Sequence, residues 1–233
     1  MDSRLVLLFL FALVPAGAAA PRVPRDAPWC ALPDARPVFV SPMGEPFRGT
    51  RGAAWPSTTW FVGADRNGDG AVDRAEFVAD ADRFFRTLDR DGDGRLTPEE
   101  IDRYEREVAP EIALYQGRRG AALPQRRRSL GAGEADYGDP LGAGHYAWLN
   151  VPEPVASVDA DMNRVADRAE FLAAAGRRFD QLDRAGDGRL RLVALGPTPQ
   201  QAEIEGPCRP RPKPKKRESE DQAMDDVPRG DAR

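Results

Sequence analysis

Two stretches of the chain place oxygen-bearing side chains at the same spacing. The first runs from Asp65 to Glu76 and the second, 24 residues later, from Asp89 to Glu100. In both, such side chains occupy positions 1, 3, 5, 9 and 12, with glycine at position 6 and an aliphatic residue at position 8. A hard cation of the size of Ca²⁺ takes about 6–8 oxygen ligands, and this spacing lets a short loop surround it. Both stretches therefore predict calcium sites.

The predicted ligands combine side-chain oxygens with the backbone carbonyl at position 7, and the glutamate at position 12 closes the site with both carboxylate oxygens. Each loop has four acidic ligands, so we expect the two loops to bind calcium with comparable affinity. In the second loop, we expect Thr97 to hold a water molecule. The first set is Asp65, Asn67, Asp69, Ala71, Asp73 and Glu76, and the second is Asp89, Asp91, Asp93, Arg95, Thr97 and Glu100.

These two loops resemble the loops of the EF-hand family. The resemblance is strong from Trp60 to about Tyr115 and weaker from Val151 to Leu195. It implies that each loop joins two helices and that neighbouring loops pair back to back through a short β-bridge at position 8. In this sequence that bridge would join Val72 to Leu96.

A second copy of the two-loop unit follows at an offset of 94 residues, which indicates duplication. The third loop keeps Asp159, Asp161, Asn163, Val165, Asp167 and Glu170 as ligands. Its position 6 is Arg164, and a left-handed conformation at such a residue costs about 1–2 kcal/mol. We expect a weakened third site, and whether it binds calcium stays open. In the fourth loop Ala185, Arg191 and Ala194 replace ligands, so we expect a structural role only.

Apolar residues at helical spacing surround the loops. One stripe, which joins the first loop to the second, consists of Phe77, Ala81, Phe84, Phe85 and Leu88, and its repeat consists of Phe171, Ala175, Phe179 and Leu182. Pro56 begins a predicted helix that ends near Ala64, and Thr97 with Glu100 forms a predicted capping box for the helix that follows the second loop.

The sequence predicts an all-α fold with two paired helix–loop–helix lobes, a flexible linker and a disordered C-terminal tail. The predicted segments are a leader at 1–18, an extended segment at 19–51, the first loop pair at 52–116, the linker at 117–144, the second loop pair at 145–196 and the tail at 197–233. Val38, Phe39, Val40 and Phe47 are candidates for packing of the extended segment across a lobe.

The N-terminus and the cysteines bear on the compartment. An apolar run from Leu5 to Val14 precedes small residues, which is typical of a secretory leader, here cleaved after Ala18. The run is too short for a transmembrane helix, which needs about 20 residues. Lysine occurs only in the tail among 34 basic residues, a usage that favours a bacterial source. We therefore expect a periplasmic or secreted protein. Cys30 and Cys208 could form a disulfide, stay free or pair between molecules.

Calcium ions are the predicted cofactor and partner, and the sequence carries no signature of an enzyme. His145 is the only histidine and lies away from any nucleophile or metal motif. A net charge of -4 gives no overall attraction to nucleic acid, and we expect a monomer. Two functions stay open: a calcium-stabilised or buffering module, or a calcium sensor that exposes an apolar groove to an unidentified protein partner.

Overall fold

The computed structural model describes residues 23–24, 27–113 and 140–210. The predicted leader at 1–18 lies outside these residues, as do residues 117–139 of the predicted linker and residues 211–233 of the predicted tail. Among the described residues no helix is both long enough and apolar enough to cross a membrane.

The described helices and strands fall into two halves, which correspond to the two copies of the repeated two-loop unit. The first half contains β1 (Val38–Val40), β2 (Pro46–Arg48), α1 (Pro56–Ala64), β3 (Val72–Asp73), α2 (Arg74–Leu88), β4 (Arg95–Leu96) and α3 (Pro98–Arg103). A π-helical turn, Tyr104–Val108, continues α3. The second half contains β5 (Ala166–Asp167), α4 (Arg168–Leu182), β6 (Arg189–Leu190), α5 (Leu192–Leu195) and α6 (Pro199–Glu205), with 3-10 turns at Gly142–His145 and Ala156–Val158.

Helix α2 forms because a capping box starts it and an apolar stripe buries one side. The Asp73 side chain accepts from the Glu76 N–H, and the Glu76 side chain accepts from the Asp73 N–H. The predicted stripe of α2 is buried along its whole length. Helix α4 has the same 15-residue length, a capping box of Asp167 and Glu170, and a buried stripe. The predicted apolar helices and their internal repeat are therefore confirmed, and so is the predicted capping box of Thr97 and Glu100.

The loops pair in a different order from the predicted one. Strand β3 of the first loop pairs with β6 of the fourth, through Val72 and Leu190. Strand β4 of the second loop pairs with β5 of the third, through Leu96 and Ala166. The predicted bridge between Val72 and Leu96 is wrong because α2 is one continuous 15-residue helix, which holds its two loops about 22 Å apart.

Because the loops pair between the two halves of the chain, the described residues form one shared core and not the two predicted lobes. Helices α2 and α4 run antiparallel, with the ring of Phe77 5.6 Å from that of Phe179 and the ring of Phe85 5.4 Å from that of Phe171. The buried residues of both halves form a single hydrophobic cluster. The division into separate lobes is therefore wrong for the described residues.

A short hairpin departs from the all-α prediction. Strands β1 and β2 pair antiparallel around a turn in which Gly44 has φ 103°, a value that favours glycine. The Tyr104 hydroxyl donates to the Gly44 carbonyl at 2.7 Å. Phe39 is fully buried, with its ring centroid 4.6 Å from that of Trp148. The predicted packing of this segment is confirmed, and the purely helical class is wrong.

The C-terminal segment is also more ordered than predicted. Helix α6 begins after Thr198, whose side chain caps it, and lies inside the predicted tail. Its Gln200 side chain accepts from the Val38 N–H and donates to the Arg36 carbonyl. A disulfide joins Cys30 to Cys208. Specific hydrogen bonds and a covalent link hold this segment without an apolar stripe, so a tail that starts at residue 197 is wrong.

Candidate metal centres

The second loop folds its carboxylates toward one point through hydrogen bonds to its own backbone. Asp89 accepts from the N–H groups of Gly92 and Gly94, at 2.8 and 2.9 Å, and Asp93 accepts from the Arg95 N–H at 2.8 Å. Asp91 accepts from the Asp93 N–H at 3.2 Å. One carboxylate oxygen from each of these three aspartates lies within 4.8 Å of the others.

Glu100 connects this loop to the helix that follows it. One carboxylate oxygen accepts from the Arg90 N–H at 2.8 Å, and the other accepts from the Thr97 N–H at 3.0 Å. The Thr97 hydroxyl also donates to Glu100 at 3.1 Å. The position-12 carboxylate is therefore held at the mouth of the loop by the start of α3, while it completes the cap of that helix.

The first loop has the same backbone turns, but the carboxylate at its position 5, that of Asp69, has different neighbours. Glu76 accepts from the N–H groups of Arg66 and Asn67, as the closing residue should. Asp69, however, lies 2.6 Å from the guanidinium of Arg189, which comes from the fourth loop. This guanidinium lowers the pKa of Asp69. Unlike those of the second loop, the first loop's carboxylates do not form a cluster of three within 4.8 Å in the described part of the chain.

The third loop gathers carboxylates from Asp159, Asp161 and Glu170 within 4.8 Å. It does so with two strained residues, since Met162 has φ 59° and Arg164 has φ 70°. Gly68 and Gly70, at the same positions of the first loop, have φ 70° and 81°. The left-handed conformation of Arg164 was predicted from the sequence, whereas that of Met162 was not. The sequence does carry a signal for this strain, because the other three loops have glycine at position 4, where the third loop has Met162.

The fourth loop contains a cation of its own. Arg191, at position 9, lies 2.6 Å from the carboxylate of Asp187, at position 5, and lowers the pKa of that carboxyl. Asp183 still accepts from the Gly188 N–H at 2.8 Å, so the turn is kept. The structural role expected of this loop is therefore kept, but its partner is the first loop and not the neighbouring third loop.

The residues of the second and third loops fit a calcium ion. Their converging donors are carboxylate oxygens, which a hard cation prefers, and the position-12 glutamate is preset by a capping box in both loops. A soft metal would need sulfur or imidazole ligands. The chain's sole histidine, His145, lies outside these loops, and both cysteines form the disulfide. A bound calcium ion would supply the positive charge that offsets the mutual repulsion of the carboxylates.

Comparison with known protein families agrees with this geometry. The EF hand family model matches residues 59–79 and 81–103, so the chain carries two adjacent EF-hand units, as the resemblance of the first two loops implied. These units indicate calcium binding and the helix–loop–helix class, and proteins of this family typically do not catalyse reactions. No curated protein matches the chain.

Some predicted site residues are brought together and others are not. The carboxylates of Asp89, Asp91 and Asp93 meet, as do those of Asp159, Asp161 and Glu170. Asp73 and Asp167 accept the N–H of the position-12 glutamate and so serve the helix caps of α2 and α4. The contact of Arg189 with Asp69 was not predicted, because it depends on which loops pair.

Proposed function

We propose that this chain is an exported calcium-binding protein in which calcium is a stabilising or buffering ligand. The convergence of Asp89, Asp91 and Asp93, with Glu100 held beside them, carries this proposal. Carboxylates that converge on one small volume repel each other, and a divalent cation relieves that repulsion. A bound ion would therefore stabilise the second loop and the cap of α3. It would also stabilise the pairing of β4 with β5 of the third loop.

The shared core supports a stabilising role over a sensor role. A sensor opens a helix pair and exposes the apolar side of its helices. Here the apolar stripe of α2 packs against α4, and Phe77 and Phe171 at their starts are almost fully buried. Opening one loop pair would thus expose the core of both halves. Methionine, typical of adaptable sensor grooves, is sparse: Met43 is buried and Met162 lies in a loop.

One observation favours the sensor as the second candidate. A shallow apolar groove lies on the outer side of α2 and α4, lined by Ala75, Val78, Ala79 and Leu172. An ion pair between Arg168 and Asp82, at 2.6 Å, lies at its edge. A calcium-dependent change in this groove would provide the surface that a protein partner needs.

Calcium titration of the purified mature protein separates the two roles. Near-millimolar dissociation constants, with a higher melting temperature and no new binding of an apolar dye, support the stabilising or buffering role. Micromolar constants with a rise in dye binding support the sensor. Glu100→Gln should weaken binding, whereas Glu99→Gln, which changes the exposed neighbouring carboxylate, should not. Equal calcium uptake by both variants and the parent would contradict the second site.

Export is supported by the disulfide between Cys30 and Cys208, since such bonds persist in oxidising compartments. The apolar leader at 1–18 is consistent with this compartment. Intact-mass measurement of the protein from fractionated cells tests the proposal. A periplasmic or secreted chain that begins at Ala19 and lacks two thiol hydrogens is expected. A reduced full-length chain in the cytoplasm would contradict it.

A further inference from the structure

The fourth loop reaches into the first calcium loop with one charged side chain. Arg189 lies on β6 opposite Asp73 of β3. Its guanidinium reaches Asp69, three residues before Val72, which is the bridge partner of Leu190. The Nη2–Oδ2 distance is 2.6 Å. The pKa of Arg189 is raised, chiefly by its hydrogen bond to Asp69 and also by the nearby charges of Asp187 and Asp73. A cation of the fourth loop therefore contacts a predicted ligand of the first.

The pair formed by the second and third loops is built on the same plan, but no ion pair between these two loops is found in the part of the chain that the structure describes. Arg189 is position 7 of its loop, and Asp69 is position 5 of the partner loop. In the second pair Arg95 occupies position 7, and position 5 of its partner loop is the neutral Asn163. Conversely, Asp93 at position 5 corresponds across the pair to Val165, which has no charge. Asp93 belongs to a converging carboxylate cluster, whereas Asp69 does not.

We propose that Arg189 tunes the first calcium site by competing with the ion for the carboxylate of Asp69. This inference rests on the proposed calcium binding of the first loop. Calcium must replace the guanidinium at Asp69 before the position-5 ligand is complete, so Arg189 weakens the affinity of the first loop. The loop that has lost its own ligands thereby regulates its partner loop, and the second site, free of this competitor, fills first.

The size of the effect follows from the exposure of the pair. Both side chains are more than one-third exposed, so water and salt screen the ion pair. An exposed pair of this kind changes an affinity by at most about fivefold. Removal of the guanidinium should therefore tighten calcium binding at the first loop by about two- to fivefold.

The test uses calorimetric titration of the full mature protein with Glu100→Gln and Glu170→Gln, which leaves the first loop with its closing glutamate. In this background Arg189→Gln should tighten binding by about two- to fivefold. Arg191→Gln is the matched control, because it removes an arginine of the same loop, of comparable exposure, that pairs with Asp187 instead. The control should leave the affinity of the first loop unchanged.

A double variant separates direct competition from a general effect of charge. In an Asp69→Asn background, Arg189→Gln should no longer change calcium affinity, because the contested carboxylate is gone. The proposal is overturned if Arg189→Gln and Arg191→Gln have the same effect, or if the gain persists without Asp69. Absence of calcium uptake in the parent protein would instead refute the proposed function. Uptake by the parent but not by the background variant would refute the first loop as a site and this inference with it.

Discussion

The ring of Phe85, near the end of α2, lies 5.4 Å from the ring of Phe171, near the start of α4. Both side chains are fully buried. This contact links the end of α2, which enters the second loop, to the start of α4, which leaves the third loop. The contact between Phe77 and Phe179 links the start of α2, which leaves the first loop, to the end of α4, which enters the fourth. The two halves of the duplicated sequence therefore share one core and pair their loops across it.

Phe85→Ala should lower the free energy of unfolding by about 3–5 kcal/mol, because a large buried ring leaves a cavity. Combined with Phe171→Ala, it should show a coupling energy of about 0.5–1.5 kcal/mol, since the two rings touch. Denaturant titration in EDTA measures both quantities. Val62→Ala, at a position 70% exposed, is the control and should change stability by less than about 0.5 kcal/mol. Two separate transitions without coupling would contradict the shared core.

Glu100 has two roles that substitution can separate. Glutamine keeps the hydrogen-bond acceptor of a capping box, whereas alanine removes it. In EDTA, Glu100→Gln should therefore be nearly as stable as the parent, and Glu100→Ala should lose about 0.5–2 kcal/mol. With calcium added, both variants should gain less stability than the parent. Thermal unfolding with and without calcium tests this. An equal loss for both variants in EDTA would show that the hydrogen bond accepted by the side chain of residue 100 contributes nothing to the cap of α3.

The third loop contains strain that glycine should relieve. Met162 and Arg164 are both exposed and have positive φ, which costs about 1–2 kcal/mol for a non-glycine residue. Glycine removes this cost but adds about 0.5–1 kcal/mol of backbone entropy in the unfolded chain. Met162→Gly and Arg164→Gly should each stabilise the calcium-free protein by about 0.5–1 kcal/mol in denaturant titration. Arg184→Gly, at a position without positive φ, is the control and should not stabilise.

Glu153 should make stability depend on pH below neutrality. Burial raises its pKa to about 7 from 4.5, an effect strengthened by the charge of Glu105 and opposed by Arg178 and by the N–H of Ala156. One of its oxygens is buried without a hydrogen-bond partner. Burial, together with the charge of Glu153, raises the pKa of Tyr104 well above its ordinary value.

The raised pKa of Glu153 determines the direction in which stability changes with pH. Below pH 4.5 Glu153 is protonated in both states, so its contribution to stability is then complete. Between pH 4.5 and about 7 only the unfolded chain ionises it, and stability is lost by about 1–3 kcal/mol as the pH rises. Glu153→Gln should remove this part of the pH profile. Denaturant titration from pH 4 to 8 in EDTA measures it, and parallel profiles for parent and variant would contradict it.

The local features of this protein follow from its sequence because they depend on neighbours along the chain. Loop ligands, capping boxes and apolar stripes involve residues within about one or two helical turns, so spacing alone predicts them. The strain at Arg164 is of the same kind, as is the missed strain at Met162, which a comparison of position 4 across the loops would have found.

The hairpin of β1 and β2 and the ordered segment of α6 depend on contacts over much longer distances. Gln200 binds the backbone of Val38 and Arg36, 162 and 164 residues earlier, and neither segment has a pattern that predicts the other. The disulfide, at a sequence separation of 178, is likewise a result of the fold. Sequence spacing could only leave these pairings open.

The sequence by itself determined that the chain contains calcium-type loops and how each loop and helix is built. Only the tertiary structure decided which loops pair, and hence that Arg189 meets Asp69. The physical reason is the length of α2 and α4. Each rigid helix separates its own two loops by about 22 Å, so the strand of each loop finds its hydrogen-bond partner on the other half of the chain.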